Sequence, residues 1–154
     1  MMTPHGIAST AERPTVVLLP GGISPANLSY GPLLAVLGQE ITPLLKDLEV
    51  YAAETPPPDY GLGSEVEAVR RVTDEAGAPA VRLVGYSSGG AVALACAARY
   101  PERLHSVALI EPACIGNGAL TPAEVEDWVE TERVMALPPA KRMAAFMRGN
   151  LPLT

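Results

Sequence analysis

A chain of 154 residues is long enough for one domain with a hydrophobic core and too short for two domains of ordinary size. Hydrophobic residues make up 48% of it, which excludes a disordered chain. The formal net charge of -6 argues against a nucleic-acid-binding surface, because phosphate binding needs clustered positive charge. The longest purely apolar run, AVALACAA, is far below the roughly 20 residues that span a bilayer, so we expect no membrane span and a cytoplasmic location.

The first half of the chain predicts two strands and one helix after a leader. Residues 1–14 have no apolar segment of signal-peptide length, and we expect them to be a flexible leader. The run TVVLLPGG from Thr15 predicts a buried strand that Pro20 and the glycines stop. Apolar spacing predicts a short helix over residues 29–39, and DLEVYAA at 47–53 predicts a second strand. The proline-rich ETPPPDYGLG that follows excludes regular structure.

The middle of the chain alternates helices with strands. Ser64 and Glu67 have the spacing of a capping box, which predicts a helix start, and Gly77 predicts its end. A third strand is predicted at 80–86, a helix from Ser88 to Tyr100, and a fourth strand at 106–112. This alternation predicts parallel strands joined by helical crossovers, which is an α/β sheet of three layers.

The last part of the chain predicts two helices with no strand between them. The sequence TPAE from Thr121 is a second capping box with proline in the first turn, and Gly149 closes a last helix over 140–148. We expect these helices to be an excursion from the sheet.

The residues that commonly bind metals are too few and too scattered for a metal site. Cys96 and Cys114 have no metal-binding spacing, and His5 and His105 lie far apart in the sequence. We expect both cysteines to be reduced, buried, small hydrophobic residues, and we expect no metal and no cofactor.

The pattern Gly-x-Ser-x-Gly at Gly85–Gly89 is the strongest chemical signal. A predicted strand leads directly into it and a helix starts within two residues, which is the arrangement called a nucleophile elbow, with Ser87 at its centre. Side chains at Gly85 and Gly89 would collide with the neighbouring strand or helix. The helix N-terminus adds free amides and partial positive charge, which favour a developing oxyanion. The alternative is a glycine-rich turn whose serines cap the helix.

Three segments, VVLLPGG, GYSSGG and ARYPERLHSVALIEP, resemble the α/β-hydrolase fold family of serine esterases and lipases in order and spacing. The resemblance implies four strands in the order four-three-five-six of the family, a partial core over 15–118 and the start of a helical lid over 119–154. It implies cleavage of an ester or related acyl bond in a small molecule, through an acyl intermediate on Ser87.

The resemblance also implies two backbone donors for the oxyanion. One is the N–H of Ser88, the residue after the nucleophile, and the other is the N–H of Gly22 in the loop after the first strand, with Ile23 as the alternative. Many members have His-Gly where this chain has Pro20-Gly21, and backbone donors can survive that change. An ordinary strand-ending turn is the other interpretation of these glycines.

The base and the acid that a serine nucleophile needs follow it in this family's chain order. His105 follows Ser87, but a helix of about 12 residues carries the chain about 18 Å away before it. His5 lies on the leader, where nothing indicates that it folds over the site. Glu111, at the end of the fourth strand and on the side of Ser87, is the candidate acid; the alternatives are that it faces solvent or holds the lid.

The family's strands seven and eight, which supply the acid and the histidine, have no counterpart in this sequence. We therefore expect the N-terminal portion of a longer hydrolase, weakly active or inactive alone. An apolar strand edge left without a neighbour predicts self-association. The alternative function is a non-catalytic α/β module, one that has lost its triad, which binds a ligand or partner at the strand ends.

Overall fold

The computed structural model of the chain describes residues 13–52, 58–113, 121–138, 141, 144, 145 and 148. The chain divides into two compact units, Met1–Cys114 and Ile115–Thr154. The second unit contains helix α4, Pro122–Met135. The first unit contains, in chain order, β1 (Thr15–Leu19), α1 (Ala26–Leu37), β2 (Thr42–Leu45), a 3-10 turn (Glu49–Tyr51), α2 (Leu62–Glu75), β3 (Val81–Tyr86), α3 (Ser88–Arg99), a second 3-10 turn (Pro101–Arg103) and β4 (Leu104–Ile110).

The four strands form one parallel sheet in the order β2-β1-β3-β4. If β1 is matched to the family's third strand, this is the order four-three-five-six, so the predicted fold class is confirmed. Gly85 of β3 pairs with Leu19 of β1 on one side and with Leu109 of β4 on the other. The ends of β1, β3 and β4 therefore meet at the carboxyl end of the sheet.

The core lies on both faces of β1 because helices cover both. Val17, Leu19 and Leu83 are buried on the face that α2 and α3 cover. Val16 and Leu18 are buried on the opposite face against α1. Burial on both faces explains why the sequence of β1 is a continuous apolar run rather than an alternating one.

The second strand is not where the sequence predicts it. The strand is β2, at Thr42–Leu45, and residues 49–51 form a 3-10 turn instead. Pro43 hides the strand in the sequence. Among the described strands β2 pairs with β1 alone, and the amides of Thr42 and Lys46 donate towards β1, so the nitrogen of Pro43 faces away and no ladder bond is lost. The apolar alternation of 47–53 is misleading because the amides of Glu49 and Val50 donate to the carboxylate of Glu65.

The predicted N-cap of α2 is wrong and its predicted end is confirmed. The helix begins at Leu62 after Gly61, so Ser64 lies inside the first turn and makes no side-chain cap. Glu65 instead accepts a hydrogen bond of 2.7 Å from Tyr60, which fixes the chain just before the helix. At the other end Gly77 adopts φ +65°, and its amide and the next one bond back into the last turn of the helix.

Other element boundaries shift by two or three residues. Helix α1 begins three residues early because Asp47 caps it from another segment, accepting the amide of Ala26 at 2.6 Å. Strand β4 begins and ends two residues before the predicted 106–112. The capping box at Thr121 is confirmed. The carboxylate of Glu124 accepts a hydrogen bond of 2.7 Å from the Thr121 amide, and the Glu124 amide donates to the Thr121 hydroxyl.

Some predictions fall outside the described residues, in whole or in part. These are the leader over 1–14, Cys114, the start of the lid segment, and most of the last helix over 140–148. Cys96 is buried and free, and burial raises the pKa of its thiol to about 11. None of the helices in the described ranges is long and apolar enough to cross a membrane.

Candidate active site

Ser87 joins β3 to α3 in a strained backbone conformation, with φ 50° and ψ -117°. Side chains of L-residues avoid positive φ, and such a residue costs on the order of 1–3 kcal/mol. Among the described residues, Ser87 and Glu111 are the non-glycine residues with positive φ. The surrounding structure must therefore hold Ser87 in place.

Close backbone packing holds this turn, and glycines make the packing possible. A Cβ on Gly85 would lie 2.4 Å from the carbonyl oxygen of Gly89. A Cβ on Gly89 would lie 2.4 Å from the carbonyl oxygen of Leu19, in the neighbouring strand. The expected collision with strand and helix is thus confirmed, since only hydrogen fits at either position.

Hydrogen bonds from the Ser87 backbone tie the turn to the end of β4. Its amide donates to the carbonyl of Ile110 at 3.0 Å, and its carbonyl accepts the amide of Ala113 at 2.9 Å. The amide of Gly89 donates to Pro20 at 3.0 Å, which ties the turn to the loop after β1. The turn at Ser87 is therefore held by the end of β4 and by the loop after β1.

The loop after β1 packs against Ser87 and Ser88. A Cβ on Gly21 would lie 3.4 Å from the Cβ of Ser87, and one on Gly22 would lie 3.2 Å from the hydroxyl oxygen of Ser88. Within the described part of the chain, no hydrogen bond is recorded from the amide of Gly22 or from that of Ser88. Ser88 is also the first residue of α3, where the helix dipole adds partial positive charge.

A second segment, residues 46–52, supports the loop after β1 from the side. The hydroxyl of Tyr51 donates a hydrogen bond to the carbonyl of Gly22. Residues of segment 46–52 and of the loop together line a cavity of about 630 Å³, which is within the size range of ligand pockets. Sequence reasoning missed Tyr51, since a tyrosine after a short apolar run is an ordinary strand residue and gives no signal of such a contact.

Glu111 follows β4 directly, in a left-handed conformation with φ 43°. Its neighbours Ile110 and Ala113 both bond to the backbone of Ser87, so Glu111 lies at the same end of the sheet as the serine. The side chain is exposed, and no hydrogen bond or ion pair to another described residue is recorded for it. Its role as the acid stays a prediction.

The described histidine, His105, lies at the other end of the sheet. It is the second residue of β4, beside the Val81–Leu104 pair that begins the β3–β4 ladder. Ile110 is five positions further along the strand, which corresponds to about 17 Å. The predicted end of the sheet is confirmed, although His105 belongs to the strand and does not precede it. His5 lies outside the described residues.

Among the residues that the structure covers, no three histidine, cysteine, aspartate or glutamate side chains cluster as a metal site would require.

Comparison with known proteins identifies the family and the fold of the chain. Residues 14–153 match the family described as alpha/beta hydrolase fold. A hydrolase from Pseudomonas aeruginosa PA01 is 25% identical with a TM-score of 0.70; the match covers 91% of this chain and 51% of that one. The 2-hydroxy-6-oxo-6-phenylhexa-2,4-dienoate hydrolase of Rhodococcus sp. strain RHA1 is 24% identical with a TM-score of 0.62, covering 90% and 59%.

An esterase from a marine microorganism shares the fold at 15% identity, with a TM-score of 0.65 and coverage of 85% and 49%. The chain thus spans about half the length of these solved structures. Because the family match extends over nearly all of the sequence, the chain belongs to the α/β-hydrolase fold family.

Proposed function

We propose that Ser87 is the nucleophile of a serine hydrolase that cleaves an ester or related acyl bond in a small molecule. The observation that carries this proposal is the strained turn of Ser87, which the end of β4 and the loop after β1 hold beside the amides of Ser88 and Gly22. Strain of this kind persists only where surrounding contacts impose it, and it is concentrated at reactive sites.

The proposed reaction passes through an acyl-enzyme. The Ser87 hydroxyl oxygen attacks the carbonyl carbon, the hydroxyl proton passes to a base, and the carbonyl oxygen becomes an oxyanion that accepts hydrogen bonds from Ser88 and Gly22. When the carbonyl re-forms, the bond to the leaving alcohol breaks and the alcohol takes the proton. Water then hydrolyses the ester on Ser87 and regenerates the hydroxyl.

Within the described ranges no histidine lies near Ser87 to act as its base, which limits the activity expected of this chain. His105 lies about 17 Å along β4 from the end where Ser87 stands, and Glu111 is the proposed acid. A serine hydroxyl without a base is a poor nucleophile, so we expect turnover close to background. The activity of a protein as long as the relatives is a separate proposal, in which further strands would supply the base.

We propose the same division of the chain into segments that the sequence predicts. Residues 1–14 are a leader, 15–118 the partial core and 119–154 the start of a lid, in a cytoplasmic protein without a nucleic-acid partner. Self-association is proposed through β4, which carries no formal charge and exposes Leu109 and Ile110. Such an edge favours pairing with another chain.

A non-catalytic module that binds a ligand at the strand ends is the second candidate function. The position of His105 favours it, because a serine without a base can still bind a ligand through the amides around it.

A fluorophosphonate probe, with intact mass spectrometry as the readout, tests the proposed function. We expect slow addition of one probe to the native chain, none to Ser87→Ala, and an unchanged rate in His105→Ala. The His105 variant is the control for a distant base, since its side chain is exposed and lies at the other end of the sheet.

An adduct that persists in Ser87→Ala, or no adduct after prolonged incubation, would contradict the nucleophile and favour the binding module. Rapid labelling that depends on Ser87 would instead reveal a base among the residues that lie outside the described ranges, with His5→Ala as the variant to try next.

A further inference from the structure

Segment 46–52 holds the loop after β1 at two points. Asp47 accepts the amide of Ala26, where the loop passes into α1, and Tyr51 donates to the carbonyl of Gly22 in the middle of the loop. The loop carries two adjacent glycines, so its conformation depends on such external contacts more than on its own side chains.

Buried Glu65 fixes the end of this segment. Its residue is 2% exposed, and its two carboxylate oxygens accept the amide of Glu49 at 2.9 Å, the amide of Val50 at 3.3 Å and the hydroxyl of Tyr60 at 2.7 Å. A buried carboxylate needs such donors, and losing any of them is costly. The 3-10 turn of Glu49–Tyr51 is thereby attached to α2.

Tyr51 follows directly after the two anchored amides. Glu65 holds the backbone just before Tyr51, and the Tyr51 hydroxyl reaches Gly22 across 29 positions in the sequence. No second hydrogen bond to the Gly22 carbonyl is recorded within the described ranges. The carbonyl of Gly22 and the amide of Ile23 share one rigid peptide plane, so holding the carbonyl fixes the direction of that amide. The Gly22 amide belongs to the preceding plane, and holding the Gly22 carbonyl reduces the range over which glycine can rotate that plane.

We infer that Tyr51 is a positioning residue for the oxyanion site, and that Glu65 acts through Tyr51. The inference rests on the proposed function of Ser87. It assigns to the 3-10 turn the task of keeping the donors of the loop in register with the amide of Ser88. The chemistry that would detect this is an anionic tetrahedral group attached to Ser87, such as a boronate.

The first measurement uses the free protein, so it does not depend on catalysis. Amide order parameters from NMR of Tyr51→Phe are expected to fall at Gly22 and Ile23, while those at Ser88 stay as in the wild type. Tyr100→Phe is the matched control, because it removes a tyrosine hydroxyl bonded to a carboxylate, that of Glu67, away from the loop.

The second measurement is phenylboronic acid binding, followed by 11B NMR as the trigonal boron becomes tetrahedral. We expect an adduct that Ser87→Ala abolishes, about tenfold weaker binding to Tyr51→Phe and less than a twofold change in Tyr100→Phe. Glu65→Gln keeps one acceptor oxygen and is expected to weaken binding in the same direction. The unfolding midpoint of Tyr51→Phe should stay close to that of the wild type, which separates positioning from general stability.

The outcomes distinguish the two proposals. Unchanged order at Gly22 and Ile23 together with wild-type boronate affinity in Tyr51→Phe would overturn the role of Tyr51 and leave the nucleophile standing. Absence of a Ser87-dependent boronate in the wild type would instead overturn the proposed function. In that case the order parameters still decide whether Tyr51 holds the loop.

Discussion

The two ends of the sheet are held together by different forces. At the carboxyl end, backbone groups around Ser87 approach one another so closely that only glycine fits at two positions. At the amino end, charged side chains connect the end of α2 to the start of β4. Arg103 contacts Asp74 at 2.5 Å, and Arg70 contacts Asp74 and Glu67 at 2.7 and 2.9 Å.

This difference shows that the backbone at one end of the sheet is held rigidly, while the side chains at the other end can change. Backbone contacts at the carboxyl end fix the geometry of Ser87, but they leave no space for added atoms at Gly85 and Gly89. Ion pairs at the amino end tolerate side-chain changes, yet they depend on pH and salt. We expect perturbations of the two ends to differ in size and kind.

The largest effect is expected from Gly89→Ala. Its new Cβ would lie 2.4 and 2.5 Å from the carbonyl oxygens of Leu19 and Pro20, which belong to β1 and the following loop and cannot rotate away. We expect the free energy of unfolding to fall by about 3 kcal/mol or more, measured by urea denaturation. Gly63→Ala is the control, because nothing lies within 4 Å of its Cβ, and helix propensity should raise stability by up to about 1 kcal/mol. Equal effects would contradict the comparison.

A smaller effect of opposite sign is expected from Ser87→Gly. Relief of the positive φ should raise the free energy of unfolding by about 1 kcal/mol, after the greater chain entropy of unfolded glycine is deducted. Ser87→Ala removes the same hydroxyl but keeps a Cβ, so it should bring no such gain. If alanine and glycine stabilise equally, the strain at Ser87 is not what the structure indicates.

The smallest effect on stability is expected from lowering the pH. It should arise from the ion pairs at the amino end of the sheet. A hydrogen bond from Tyr100 lowers the pKa of Glu67, and the guanidinium of Arg103 lowers the pKa of Asp74. Because the folded pKa lies below the unfolded one, the stabilisation is present above about pH 4 and is lost as the pH falls through the folded value.

Asp74→Asn should therefore flatten the loss of thermal stability between pH 5 and pH 3, as followed by circular dichroism. Ser87→Gly should leave the shape of that profile unchanged. An identical acid limb in wild type and Asp74→Asn would show that the ion pairs do not contribute.

The turn at Ser87 could be predicted because its geometry demands a residue type. A close backbone approach allows only glycine, so the glycines at positions 85 and 89 indicate this turn in the sequence. The residue Glu111 also has a positive φ, but no glycine pattern in the sequence predicts it. Its conformation comes from tertiary hydrogen bonds on either side, and these leave no local pattern.

The capping boxes show the same limit. Thr121 and Glu124 satisfy each other locally, and the prediction is confirmed. Ser64 and Glu67 have equal spacing, but the helix starts earlier and Glu67 bonds to Arg70 and Tyr100 instead. Tyr51 and Glu65 could not be found from the sequence, because their partners lie 29 and 16 positions away.

The buried thiol of Cys96 can report how often the packed face of α3 opens. Its thiol is enclosed among core residues and its pKa is raised to about 11, so the native chain presents neither access nor thiolate to an alkylating reagent near neutral pH. Modification at this position must wait for α3 to separate from the sheet. The rate at which Cys96 is alkylated therefore measures how often the helix that begins at Ser88 opens away from the sheet.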